Sequence, residues 1–460
     1  MQQTQHYYFD TALLADGWHE QVTISIEPNG LISAIAHSAP PPVGATQITG
    51  AALPGMPNLH SHAHQRAMAG LAERAGAGPD SFWTWRETMY SFIGQITPDN
   101  LQAIAAQLYL EMLKAGYTSV GEFQYLHHAP DGQPYAERAE MSLRCLAAAD
   151  TAGIAITCLP VWYQLSDFGN QPAQARQRRF INDAEQFLGL FEHLLSACQQ
   201  PQHRAGIAPH SLRAVPPEQL MMVVEQARAL APDCPVHIHI AEQTKEVDDC
   251  LAWSGQRPVQ WLLEHCPVAA DWCLIHATHM TAQETQALAA SGAVAGLCPT
   301  TEANLGDGFF PAQDYLAQQG VFGIGSDSHI SVSPVEELRW LEYGQRLLQR
   351  GRNILAGGPQ RATGRTLYDQ ALRGGAQAMD RPCGQLTPGY CGDILVLDTT
   401  APLLLERTGD ELLNSWLFAG NQPLVKDVIV AGKWLIRDGN HAAEADIQAQ
   451  FRAALKRLAR

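Results

Sequence analysis

Short apolar runs alternate with longer amphipathic stretches through the middle of the chain, and this alternation predicts an architecture. Eight runs read as buried strands: Leu53 to His60, Tyr117 to Phe123, Ile154 to Trp162, Ala205 to Pro209, Pro235 to Ala241, Trp272 to Ala277, Ala293 to Cys298 and Val321 to Asp327. Each is followed by sequence of helical period, the order expected of parallel β/α units, and eight such units predict an α/β fold closed as a (β/α)8 TIM barrel. The two chain ends follow a different pattern. Gln21-Val-Thr-Ile-Ser-Ile-Glu and Leu31-Ile-Ser-Ala-Ile near the start, and Gly392-Asp-Ile-Leu-Val-Leu-Asp398 and Val425 to Gly439 near the finish, are short alternating segments bounded by Gly, Pro and Asn. They predict antiparallel strands from both ends paired in one small β-sandwich. The expected division is sandwich over residues 1–52 and 383–440, barrel over 53–382, and a helix over 441–460, where Ala, Gln, Arg and Leu predominate.

Composition narrows the class of partner. In a chain of 460 residues, 46% hydrophobic and 17% charged residues describe a globular protein with ample core and exclude disorder. A formal charge of −16 argues against nucleic acid or an anionic membrane as partner, since both demand a basic surface. An anionic substrate would need arginines placed to overcome that field. The ten cysteines form no C-x-x-C pair, and the start, Met1-Gln-Gln-Thr-Gln-His-Tyr-Tyr-Phe, lacks a signal-peptide pattern, so the expected location is cytoplasmic.

Barrels carry their chemistry at the C-terminal ends of the strands. Metal-capable residues fall there repeatedly: His60 and His62 on the first strand, Glu122 on the second, His210 on the fourth, His239 with Glu242 on the fifth, His276 on the sixth and Asp327 on the eighth. His60, His62, His239 and Asp327 offer three imidazole nitrogens and a carboxylate, a set suited to zinc and equally to iron or another borderline divalent ion. Such an ion lowers the pKa of bound water toward neutrality, which implies hydrolysis. His237 shares a strand face with His239 but lies farther from the strand end, so it is expected to be a packed core residue. Glu242 is placed to carry a proton to a leaving nitrogen. His276 is a base, a hydrogen-bond donor or a further ligand, whereas His279 and His329 are read as turn residues. Arg86 and Arg213 could each clamp a carboxylate through two parallel hydrogen bonds, which would select an acidic or diacidic substrate.

Leu53-Pro-Gly-Met-Pro-Asn-Leu-His60-Ser-His62, His237-Ile-His239-Ile-Ala-Glu242, His276 and Gly325-Ser-Asp327-Ser together resemble the amidohydrolase superfamily, in its branch that deaminates small molecules with one metal. The resemblance spans nearly the whole chain. It is closer to members that hydrolyse N-formimidoyl-L-glutamate to N-formyl-L-glutamate and ammonia in histidine breakdown. The strings His62-Ala-His-Gln-Arg-Ala-Met-Ala-Gly-Leu, Gly121-Glu-Phe-Gln-Tyr-Leu-His-His, Cys298-Pro-Thr-Thr-Glu-Ala-Asn-Leu-Gly-Asp-Gly and Ser326-Asp-Ser-His-Ile-Ser carry that likeness. Purine deaminases of the superfamily tend to carry Cys-Pro-x-Ser-Asn where this chain has Cys298-Pro-Thr-Thr-Glu. The resemblance implies one zinc ion on His60, His62, His239 and Asp327. It further implies a glutamate moiety held by Gln65, Arg86, Tyr125, His210 and Arg213, proton transfer by Glu242, His276 and Asp327, and a homodimer. Two rival readings are a deaminase of the same fold acting on a guanidino or heterocyclic substrate, for which two arginine clamps have no use, and a non-catalytic binding protein, which would be expected to have lost ligands.

Overall fold

The computed structural model describes residues 3–74, 82–357 and 361–458. All eight central runs form strands, and all of them are parallel where they pair. Met56–Ser61, Tyr117–Gln124, Ala155–Trp162 and His203–Ala205 follow one another in a sheet that Ala208–Pro209 extends. Val236–Ile240, Trp272–His276, Val294–Leu297 and Val321–Ile324 form a second sheet in the same sense. Nearly every residue of these strands is buried, because helices cover the faces that would otherwise meet water. Bridges Ile207↔Val236 and Ser211↔His239 join the sheets at one edge, and Ser61↔Asp327 joins them at the other. At that second junction His62 N donates to Asp327 O at 3.1 Å and Asp327 N donates to His60 O at 3.0 Å.

The first predicted strand is in fact two. Leu53 and Pro54 end the strand Thr46–Pro54, which pairs with Ile394–Leu397, and the chain passes Gly55 before Met56–Ser61 begins in the parallel sheet. Gly55 fits this crossing because a Cβ there would lie 2.2 Å from Thr118 Cγ2. Strands from both chain ends share one eight-stranded sheet, in the order Asn440–His441, Lys433–Arg437, Val425–Val430, Ile394–Leu397, Thr46–Pro54, Gln5–Leu14, Gly17–Ile26 and Ile32–Ala36. One pairing departs from the antiparallel expectation. Gln5–Leu14 and Thr46–Pro54 run parallel, because the Pro-rich stretch 37–45 returns the chain to the far side of the first strand. Phe9, Val22, Ile24, Ile48, Val396 and Ile429 pack into a separate small core on this sheet. The last helix, Glu444–Leu458, docks on Pro98–Ala115 through Lys114–Glu444 at 2.6 Å and Arg457–Asn100 at 2.8 Å. Among the described residues no helix is long and apolar enough to cross a membrane, and all ten cysteines are free thiols.

Candidate active site

His60, His62 and His239 present ring nitrogens that all lie within 4.8 Å of one another, all on buried residues. Asp327 Oδ1 stands 3.5 Å from His60 Nε2 and 3.2 Å from His62 Nε2, and His239 Nε2 stands 3.1 Å from His60 Nε2. His62 Nδ1 is turned to Phe123 O at 3.0 Å, which leaves its Nε2 as the free lone pair on the shared side. Burial holds the His60 imidazole down to about 3 and the His62 and His239 rings below their ordinary range, so all three are neutral, as metal ligands must be. Burial works against the Asp327 charge, yet the hydrogen bond from His60, with the imidazoles of His62 and His276 close by, keeps its carboxyl below the usual carboxylate range. Three neutral nitrogens and an ionised oxygen converging from different strands fit a divalent ion of the zinc type.

The surrounding backbone is built to aim these groups. Gly325 is needed because a Cβ there would meet His60 Cβ at 2.6 Å. Ala241, His276, Ala277, Asp327 and His329 all have positive φ, between +43° and +70°, a conformation costing non-glycine residues on the order of 1–3 kcal/mol each. Glu122, one of the strand-end candidates, points at backbone and hydroxyls. It accepts from Ala63 N at 2.7 Å, Ser61 Oγ at 2.6 Å and Tyr109 Oη at 3.0 Å, and so fixes the turn that carries His60 and His62. Burial pushes its carboxyl up to about 7. His329 lies beneath the same turn, bonded to Ser326 Oγ and Ser61 Oγ, and His237 is tied to Ala378 O at 2.7 Å. Both rings are buried and held by bonds within the protein.

On one side of the ligand cluster stand acids and one imidazole. His276 Nε2 is 3.7 Å from Glu242 Oε1 and 3.9 Å from Asp327 Oδ2, while its Nδ1 is 3.3 Å from Glu302 Oε1. Burial opposes charge on His276, while the carboxylates of Glu242, Glu302 and Asp327 raise its affinity for a proton. Glu242 is pushed up to about 7, by burial first, with Asp327 and Glu246 adding to it against the pull of His276 and Arg213. A carboxyl in that range can give and take a proton near neutral pH. Glu246 accepts from Ala241 N and Glu242 N, both at 3.1 Å, and so holds the turn that presents Glu242.

The pocket that holds these groups also carries cationic and aromatic ones. It is lined by His62, His239, Glu242, His276 and Asp327 and also by Arg86, Tyr90, Tyr163, Arg213, Gln65 and Tyr125, with the His210 ring 5.0 Å from that of His239. Arg86, on the helix Phe82–Ile93, donates to Tyr90 Oη at 2.9 Å and Tyr163 Oη at 3.3 Å. The Trp83 side chain that precedes it lies outside the described residues. Arg213 Nη1 is buried without a hydrogen-bond partner among the described residues. Burial opposes the Arg213 charge, and Tyr163 with Glu246 outweighs it. Gln65 Nε2 donates to Tyr125 Oη at 2.9 Å, and His64 Nε2 meets the same hydroxyl at 2.8 Å. His210 Nδ1 pairs with Ser211 Oγ, and the His210 ring packs edge-on to Tyr163 with centroids 4.6 Å apart.

Every residue singled out as a candidate thus lies in or under one pocket. Glu246, Glu302, Asp307, Tyr163 and Gln177 were missed. Asp307 is buried beside the acid cluster and bonded to Gln243, and burial with the Glu242 charge pushes it up to about 9. Gln177 donates to Tyr163 Oη at 2.8 Å. An acid a few positions beyond a strand of the parallel sheets is the only sequence signal that Glu246 and Glu302 offered.

Comparison with known proteins agrees with this geometry. Residues 51–435 match the amidohydrolase family. The chain is 56% identical over 437 residues to formimidoylglutamate deiminase of Pseudomonas aeruginosa, covering 95% of this chain and 96% of that one. It is 27% identical over 432 residues to 5-methylthioadenosine/S-adenosylhomocysteine deaminase of Nitratidesulfovibrio vulgaris, covering 94% and 87%. An amidohydrolase structure from Brucella melitensis superposes with a TM-score of 0.93 at 48% identity, covering 100% of both chains. A zinc-bound adenosine deaminase structure from Xanthomonas campestris superposes with a TM-score of 0.81 at 21% identity, covering 99% of each, a likeness of fold alone.

Proposed function

The chain belongs to the amidohydrolase family, and on that premise we propose that it hydrolyses N-formimidoyl-L-glutamate to N-formyl-L-glutamate and ammonia in histidine degradation. The observation that carries the substrate is the pair Arg86 and Arg213 in the same pocket as the ligand cluster, since a diacid uses two guanidinium anchors and a neutral heterocycle uses none. On this reading the joined parallel sheets are a (β/α)8 barrel within residues 53–382, entered at Met56 once Thr46–Pro54 has paired with Ile394–Leu397, with the small β domain built from both chain ends and closed by the helix Glu444–Leu458. The reaction runs in the cytoplasm, which ten free thiols suit, and the enzyme is a homodimer by its family resemblance.

His60, His62, His239 and Asp327 would hold zinc, which when bound supplies an acidified water as nucleophile at neutral pH. Arg86 and Arg213 hold the two carboxylates, with Gln65, Tyr125 and His210 shaping the wall between them and the reacting end. Water adds to the formimidoyl carbon as His276 and Asp327 take its proton. Glu242 then delivers one proton to the imino nitrogen and the hydroxyl proton of the adduct follows to the same nitrogen as the carbon–nitrogen bond breaks, so that ammonia leaves, the formyl group stays on the glutamate nitrogen, and the proton first taken from water returns to Glu242. Ammonia release by zinc-loaded protein tests this reading. Turnover of N-formimidoyl-L-glutamate is expected in preference to N-formimidoyl-L-aspartate, guanine and adenosine. Turnover of guanine or adenosine in its place would discard the substrate, and silence on all four would revive a non-catalytic role.

A further inference from the structure

His276 is aimed by two devices, only one of which lies in its own backbone. Its φ is +70°, and Ala277 N donates back to Ile275 O at 3.1 Å, so the ring projects from the centre of a γ-turn. That turn sets where the ring begins, not which edge faces the substrate. The second device is Glu302, on the short helix Pro299–Leu305 after the seventh strand. Glu302 is buried, and its Oε1 takes Cys298 N at 3.0 Å and faces His276 Nδ1 at 3.3 Å. With Nδ1 so engaged, Nε2 faces Glu242 and Asp327 at 3.7 and 3.9 Å, beyond direct hydrogen-bonding distance of either.

We propose that Glu302 is a positioning residue that holds the His276 ring with its proton on Nδ1, so that Nε2 is the atom presented to the reacting water. The proposal rests on the reading of His276 as a group that handles the water proton. A neutral imidazole has two tautomers, and a carboxylate on one nitrogen selects the tautomer protonated there. The alternative is that Glu302 only caps the chain at Cys298. Glutamine at this position keeps a carbonyl for the Cys298 N–H but loses the charge that selects the tautomer, so the two roles separate.

Glu302→Gln is expected to fold, with kcat down by about 10- to 100-fold and KM within about threefold of the parent. In a His276→Ala background the same change should cost less than about threefold more, because Glu302 acts through the ring that has been removed. A kcat within threefold of the parent, or a full additional loss in the His276→Ala background, would overturn the proposal. A readout that needs neither the variant nor a substrate is the downfield proton spectrum of the unaltered protein. An imidazole N–H resonance of the carboxylate-bonded kind is expected and should vanish in His276→Ala. Its absence would overturn the proposal even if Glu302→Gln failed to fold. Its presence in a protein that does not turn over N-formimidoyl-L-glutamate would remove the substrate and leave the Glu302 contact standing.

Discussion

Two sets of residues line the pocket, one metal-capable and acidic and the other cationic, and they are made of different material. The metal and acid end is built from strand termini: His60, His62, His239, His276 and Asp327 come off parallel neighbours whose register is set by backbone hydrogen bonds. The cationic end is built from a helix and irregular segments: Arg86 on Phe82–Ile93, Arg213 in the turn after Ala208–Pro209, and Tyr163 just past Ala155–Trp162. Backbone strain gathers at the first end, where Ala241, His276, Ala277 and Asp327 all have positive φ. Rigid strand ends suit chemistry, which tolerates little misplacement, whereas helix and turn residues suit anchoring, where shape selects the substrate.

If that division is right, each end can be damaged without the other. The largest effect is expected from chelation, which should abolish turnover while N-formyl-L-glutamate still binds within about tenfold of its affinity for the loaded protein, because the arginines remain. Calorimetry on the two forms checks this, and loss of all binding in the stripped protein would merge the two ends. Next, Glu242→Gln should lower kcat by about 10²- to 10⁴-fold with metal content unchanged, the span of general acid–base catalysis. Metal analysis beside kinetics decides it, and near-normal turnover would remove Glu242 from the mechanism. Arg213→Ala should raise KM by about 100-fold, worth about 2.7 kcal/mol, and leave metal content at the parent level. Loss of metal in this variant would contradict the separation.

The smallest effect concerns support beneath the metal end. Burial lifts Glu122 from 4.5 to about 7, so the folded state prefers its protonated form. A carboxyl raised in this way costs stability progressively as pH climbs from about 4.5 to about 7 and by a constant amount above that, no more than about 3 kcal/mol. Glu122→Gln should therefore flatten the pH dependence of thermal stability between those limits. Equal slopes in parent and variant would show that Glu122 is not the group responsible.

The same contrast explains what could be read before folding. Strand ends announce themselves, because an apolar run followed by His, Glu or Asp is a local pattern, and the eight runs and the side chains that converge at their ends were found by it. The boundary at Gly55 was not legible, since Leu53 to His60 is one apolar run although its two halves join different sheets. The parallel pairing of Gln5–Leu14 with Thr46–Pro54 was hidden as well, because it depends on where the chain returns and not on either strand's own pattern. Glu302 and Glu246 escaped notice because each sits in a helix start, where glutamate is common, and their burial follows only from tertiary packing. Tyr163 and Gln177 meet across 14 positions through a bond no local pattern foretells.

The most direct test of the two-ended pocket is the specificity constant for N-formimidoyl-L-glutamate against 4-formimidoylaminobutanoate, the same chain without the α-carboxylate. The account predicts a fall of about 100-fold or more, carried mainly by KM, and on the monoacid a much smaller further loss for whichever of Arg213→Ala and Arg86→Ala has lost its carboxylate partner, with the full loss kept for the other. Equal constants for the two compounds would mean that the paired arginines do not select a diacid, and the division of the pocket into a reacting end and an anchoring end would fall.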